Sequence, residues 1–171
     1  KRLLNTMSET ANATTTKGVG KTMSSLLLLE SAKESAGLTR ATVSGILSKN
    51  VSIDNSLLKK VIALTSQTEV NLHSRALTLS KESMEKIASI TNQEHWKKRD
   101  AVISNVIEKY QEGRFGSDPK EYFKAATMVV DDLGGLVAEE IQKLEDKVTK
   151  IQKELRENVI MTVITIVGTF I

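Results

Sequence analysis

The stretch VAEEIQKLEDKVTKIQKEL, Val137 to Leu155, decides the fold. Its aliphatic residues Val137, Ile141, Leu144, Val148, Ile151 and Leu155 recur at alternating spacings of four and three. That is the seam of a helix that packs along another helix. Charges of opposite sign stand four apart between them, Glu139 with Lys143 and Asp146 with Lys150, on the face a helix leaves to water. Immediately downstream the pattern changes. Val159 to Ile171, VIMTVITIVGTFI, carries no charge and is apolar on every side. As a helix it would rise about 20 Å, short of the ~30 Å hydrocarbon core of a bilayer. A face that apolar needs cover from other helices, a second copy or lipid. Val159, Ile160, Val163, Ile164, Ile166, Val167 and Phe170 are therefore the expected membrane or helix contact residues.

Upstream of the seam, QEGRFGSDPKEY (Gln111–Tyr122) is the strongest punctuation in the chain. Two glycines end one helix, Asp118 caps the next, and Pro119 fits its first turn, so the chain is expected to reverse there. A short helix, KEYFKAATMVVDDL, is predicted from there to the pair Gly134-Gly135. Between Ser52 or Asp54, either of which can cap, and Tyr110 there is no proline or glycine. Apolar residues recur there at helical spacing (Leu57, Val61, Leu64; Leu72, Ala76, Leu79; Ile103, Val106). The pattern predicts one long helix, or two collinear ones parted near ITNQEHW, Ile90–Trp96. Earlier still, SSLLLLESAKESAG is predicted as a helix closed by Gly37. LTRATVSGILSKN is a second, short one after a tight turn, with Thr39 as its cap. Residues 1–20, rich in Thr, Ser, Asn and Gly, are expected to be a flexible arm. The fold expected is all-α: an elongated antiparallel helical bundle over 21–171, with long coiled-coil-like helices at about 53–112 and 135–170.

Composition agrees. Only 4% of the 171 residues are aromatic and there is a single proline, too few of either for a sandwich or barrel. The net charge of +3 is too small to imply a polyanionic partner. The chain has no cysteine, which excludes disulfides, thiol catalysis and thiolate metal sites. No leader is visible at Lys1. The apolar end favours a secreted or membrane-associated location.

One motif invites an enzymatic reading. GVGKT, Gly18–Thr22, matches the end of a phosphate-binding loop. That loop needs a glycine where Thr15 stands and a buried strand before it, and NTMSETANATTT cannot be one. His73 and His95 have no ligand partner three or four residues downstream, and the carboxylates lie beside lysines on polar faces. No catalytic residue, cofactor or metal site is expected, and the protein is expected not to be an enzyme.

Two resemblances suggest functions. AGLTRATVSGIL, Ala36 to Leu47, resembles the turn and recognition helix of helix-turn-helix repressors. Gly37 stands at the turn, Leu38, Val43 and Ile46 at docking positions, and Thr39, Arg40, Thr42 and Ser44 at positions that meet phosphate or bases. The long helix before Tyr110, together with IQKLEDKVTKIQKELRENVIMTVITIVGTFI, resembles the α-helical pore-forming toxins of the haemolysin E and tripartite Bacillus enterotoxin class. That resemblance implies a toxin acting through helix association and membrane contact. It makes the expected partners a lipid membrane or other helical chains, in a homo- or hetero-oligomer. A coiled-coil scaffold or oligomerisation partner is the alternative. DNA binding is the third reading, and DNA the least expected partner.

Overall fold

The structure, a computed structural model, describes residues 18–169, and of residues 163–169 the backbone alone. Among the described residues there are five helices and no strand: α1 (Val19–Lys49), α2 (Asn55–Leu72), α3 (Lys81–Thr91), α4 (Glu94–Glu108) and α5 (Pro119–Thr169). The all-α class is as the sequence predicts. The predicted arm at 1–20 lies outside the described residues except for Gly18 to Gly20, where α1 is already starting.

α1 is one unbroken helix of 31 residues. The predicted turn at Gly37 is absent. Ala32, Ala36, Thr39, Val43, Ile46 and Leu47 form one buried face that runs straight through that position. Thr39 does not cap. Its hydroxyl donates to the carbonyl of Ser35, one turn back, at 2.8 Å. A glycine inside a helix costs about 1 kcal/mol relative to alanine, less than a continuous buried face returns. The helix ends at Asn50, which takes the left-handed conformation (φ 52) and accepts the amide of Phe115 on its side-chain oxygen at 2.9 Å.

The predicted helix at about 53–112 is three helices. Asp54 caps α2 through its carboxylate, which accepts the Leu57 amide at 2.7 Å. α2 stops at Leu72 without glycine or proline, because local hydrogen bonds compete for the chain. Ser80 caps α3 by accepting the Ser83 amide, and the 73–80 connection is anchored by the Thr78 amide donating to Ser25 Oγ at 2.8 Å. Leu77, buried between them, is the apolar pin of that connection. The second break falls within ITNQEHW, between Thr91 and Glu94.

The reversal at Gln111–Asp118 is present. Gly113 sits at φ +66, and a Cβ there would stand 2.6 Å from the backbone of Val51 and Ser52, so this turn requires glycine. The predicted separate helices at 120–133 and 135–170 are one, α5, of 51 residues. Leu133, Leu136 and Val137 are buried on both sides of Gly134-Gly135 and carry the helix through the pair.

α5 runs antiparallel to α1. Arg40 meets Thr127, and the Lys33 methylenes lie against Gly134. α2 folds back on α1, where Thr68 Oγ1 reaches the carbonyl of Ala32 at 3.5 Å. Two apolar clusters fill the bundle. One surrounds Leu29, Trp96 and Leu133; the other surrounds Val43, Val61, Val106 and Tyr122.

A candidate anion site between the first and last helices

Two arginines of the described chain are withdrawn from solvent, Arg40 on α1 and Arg99 on α4. Their surroundings are opposite. Arg99, 2% exposed, lies 4.7 Å over the Trp96 ring and points Nε and Nη2 at the Asp100 carboxylate, with Glu69 at 3.6 Å. It is neutralised twice. Arg40 makes no ion pair among the described residues. Its guanidinium stands 5.0 Å above the ring of Phe123, and Nη1 donates to Thr127 Oγ1 at 3.2 Å. Thr127 donates its own proton to the Phe123 carbonyl at 2.8 Å, so its oxygen is left to accept from Arg40.

Helical geometry brings two more groups to Arg40. Gly37 and Ser44 stand one turn before and one turn after it on α1. A Cβ at Gly37 would meet nothing within 4 Å among the described residues. Ser44 Oγ is buried and has no hydrogen-bond partner among the described residues. Its neighbours Thr39 and Ser48 spend their hydroxyls on the carbonyl one turn back, both at 2.8 Å. Among the described residues, a half-buried cation without a counter-ion and, one turn away, a hydroxyl without an acceptor together suit a small anion. The guanidinium fork matches two oxygens of a planar oxyanion, and such charge-assisted bonds are the strong ones. The buried Tyr122 phenol is beside this site and donates to the carbonyl of Thr39 at 3.5 Å.

Other polar clusters are closed by their own partners. In the cleft of about 400 Å³ between α4 and α5, Lys98 is bound to Glu121 at 3.1 Å. Next to it, His95 Nε2 and Trp96 Nε1 both hold Asp132 Oδ2, at 2.6 and 2.8 Å. Ser83 and Lys143 together satisfy the buried Glu140.

Burial pushes the Tyr122 phenol well above the ordinary value. Asp100 adds to the rise, while Arg99 and Arg40 oppose it. The neutral phenol thus contributes stability that is present in full below the unfolded value and is lost as pH rises through the folded one. Alkaline difference absorbance of the native protein should therefore leave Tyr122 silent through the ordinary phenol range. Tyr122→Phe should give the same native titration as wild type, and a smaller amplitude for the variant would contradict this burial.

The predicted seam residues divide. Val137 is buried; Leu144, Val148 and Ile151 are half-buried; Ile141 and Leu155 are exposed at 38% and 58%. α1 begins at Val19, near the level of Lys147, so beyond that point no described helix flanks α5. Of the predicted contact residues, Val159 and Ile160 are exposed at 63% and 49%. The side chains of Val163, Ile164, Ile166 and Val167, and all of Phe170, lie outside the described residues. Among the described residues no helix is long and apolar enough to cross a membrane. Arg40 and Ser44 drew attention in the sequence only as positions that could face DNA. Nothing in the sequence shows that Arg40 lacks an acid partner or that Thr127 and Phe123 meet it.

A family model described as nitrate and nitrite sensing, NIT, matches residues 1–151. No curated protein and no solved structure matches the chain. The family match overturns the pore-forming-toxin expectation, because the matched span takes in most of the heptad segment on which that resemblance rested and assigns it to a sensor. It equally overturns the helix-turn-helix resemblance, whose turn glycine lies inside the continuous α1. A helical scaffold fits a sensor only loosely.

Proposed function

This chain belongs to the NIT, or nitrate and nitrite sensing, family, and from that premise we propose that it is a non-catalytic sensory domain whose anion is received by Arg40. The single observation that carries the site is the half-buried Arg40, without a carboxylate partner among the described residues, one turn from the Ser44 hydroxyl, which is equally unpartnered among them. Nitrate is a planar monoanion with three oxygens, and nitrite a bent one with two. Both match the guanidinium fork with two oxygens, and nitrate keeps a third that can accept from Ser44 Oγ. The Phe123 ring, 5.0 Å below the guanidinium, gives the anion an apolar neighbour suited to one that gives up its water cheaply.

The site bridges α1 and α5, and this supports a route for the signal. An anion bound by Arg40 competes with the Arg40–Thr127 hydrogen bond and so alters how α5 seats on α1. The same rigid helix extends from Thr127 to residues 152–162, all exposed, beginning about 38 Å away at 1.5 Å per residue. Sliding of packed helices is an established mode of switching.

Nitrate titrated into the protein should raise its melting temperature, since a ligand bound only by the folded state stabilises it by about 2.7 kcal/mol at a hundredfold excess over Kd. Arg40→Gln should remove the nitrate-dependent rise. Arg40→Lys should recover little of it, because a point charge does not reproduce the fork. Ser44→Ala should weaken binding several-fold without loss of fold. A full nitrate response in Arg40→Gln would refute the site; no response in wild type would refute the ligand.

A further inference from the structure

The outer face of α1 carries a second pattern. Glu34, Leu38, Ala41, Gly45 and Lys49 lie in one strip directly opposite the buried face of Ala36, Val43 and Leu47, and all five are exposed. A Cβ at Gly45 would meet nothing within 4 Å, so no contact among the described residues explains a residue that weakens a helix. Leu38 projects beside this gap and is 48% exposed. A groove of about 580 Å³ runs alongside, walled by Leu38, Gly45, Val51 and Leu57. Glu34 and Lys49 make no ion pair among the described residues.

We propose that this face is the contact surface of a two-fold homodimer in which the two α1 helices cross antiparallel. A two-fold interface must be self-complementary, each feature meeting its counterpart on the same patch. The strip has that property about the point midway between Ala41 and Thr42. Leu38 and Gly45 lie equally far from it on opposite sides, and so do Glu34 and Lys49. With the axis there, Leu38 enters the gap at the partner's Gly45, and Glu34 meets the partner's Lys49. Each contact occurs twice. A parallel pairing would instead set Glu34 against Glu34 and Lys49 against Lys49, which is repulsive. The exposed Val51 widens the apolar contact beyond one helix face. This inference is independent of the anion site, which lies on the flank of α1 that faces α5.

The 171-residue chain should sediment as a dimer at tens of micromolar. Gly45→Leu should make it monomeric while keeping the helical circular dichroism of wild type, because the added side chain has open space among the described residues of the monomer. Glu34→Lys should weaken the dimer at least tenfold, and adding Lys49→Glu in the same chain should restore it. The native chain has no cysteine, so engineered ones report orientation cleanly. A mixture of Leu38→Cys and Gly45→Cys chains should form a mixed disulfide faster than Leu38→Cys forms one with itself. A monomeric wild type, a Gly45→Leu dimer, or preferential self-crosslinking of Leu38→Cys would each overturn the proposal.

Discussion

Replacing Trp96 by alanine should cost about 3–5 kcal/mol, the range for deleting a fully buried aromatic, and lower the melting temperature by roughly 6–20 °C for a chain of this size. Trp96 is 1% exposed and packs in the cluster with Leu29, Leu133 and Leu136, joining α4 to α1 and α5. Three losses add up. The cavity forfeits the dispersion contacts of the indole. Asp132 Oδ2 loses the Nε1 donor at 2.8 Å and keeps only His95. The Arg99 guanidinium loses the ring 4.7 Å below it. Trp96→Phe separates these terms, since it keeps most of the packing and loses the indole N–H; about 1–2 kcal/mol is expected, near one hydrogen bond plus a small void. Urea unfolding followed by circular dichroism checks both variants. It must replace fluorescence, because Trp96 is the sole tryptophan. An alanine variant within 1 kcal/mol of wild type would show that this cluster does not hold α4 in place.

Much of the fold was legible where a local signal and the buried pattern agree. Asp54 as a cap, the reversal at Gln111–Asp118 and the all-α class all rest on residues whose local chemistry is also their tertiary role. The element boundaries failed where they disagree. Gly37 and the pair Gly134-Gly135 read as stops. Yet Ala36 with Thr39, and Leu133 with Leu136, bury continuous faces across them, and burial outweighs about 1 kcal/mol of glycine propensity per residue. Conversely, the stretch from Asn71 to Ser80 has no breaker. It parts two helices because Ser80 and Ser25 supply hydrogen bonds to amides that a longer helix would have used. A bond between residues 53 apart leaves no trace in a local pattern. The candidate site was legible only as residue types. Arg40 and Ser44 stood out only as polar positions that could meet phosphate or bases. Their value as a receptor depends on what is missing around them, a carboxylate and an acceptor, and absence in space has no periodicity.

The apolar end was misread for a related reason. The run from Val159 is apolar on all sides, and that composition was taken as a statement of function. Composition constrains what such a segment avoids, which is bare water. It does not separate a toxin from a sensor. The matched family makes α5 an element of a sensory domain, and its N-terminal half, packed on α1, holds the residues that meet Arg40.

Removing both acids from Arg99 should destabilise the protein by about 3 kcal/mol, while removing Arg99 itself should cost much less. Breaking a buried ion pair from one side costs about 3–5 kcal/mol because the surviving charge stays in a poor solvent. The low end applies, since the Glu69 and Asp100 side chains are 46% and 50% exposed and part of their attraction is already screened. In Glu69→Gln with Asp100→Asn, the guanidinium, 3% exposed at its side chain, keeps its charge and loses both counter-ions. In Arg99→Met, a side chain of similar length fills the space over Trp96 without a charge to solvate, and replacements of this kind are often close to neutral. The same contrast tests the reasoning behind the anion site. Arg40 is proposed as the receptor because nothing among the described residues neutralises it, whereas Arg99 is excluded because two acids do. Freed of those acids, Arg99 should itself become anion-responsive. Nitrate should then stabilise the double variant even when Arg40→Gln is added, although it should not stabilise Arg40→Gln alone. Melting curves of the four proteins with and without nitrate decide the matter. If the double variant is as stable as wild type, or if it gains no response to nitrate, the neutralisation of Arg99 does not explain why the anion is assigned to Arg40.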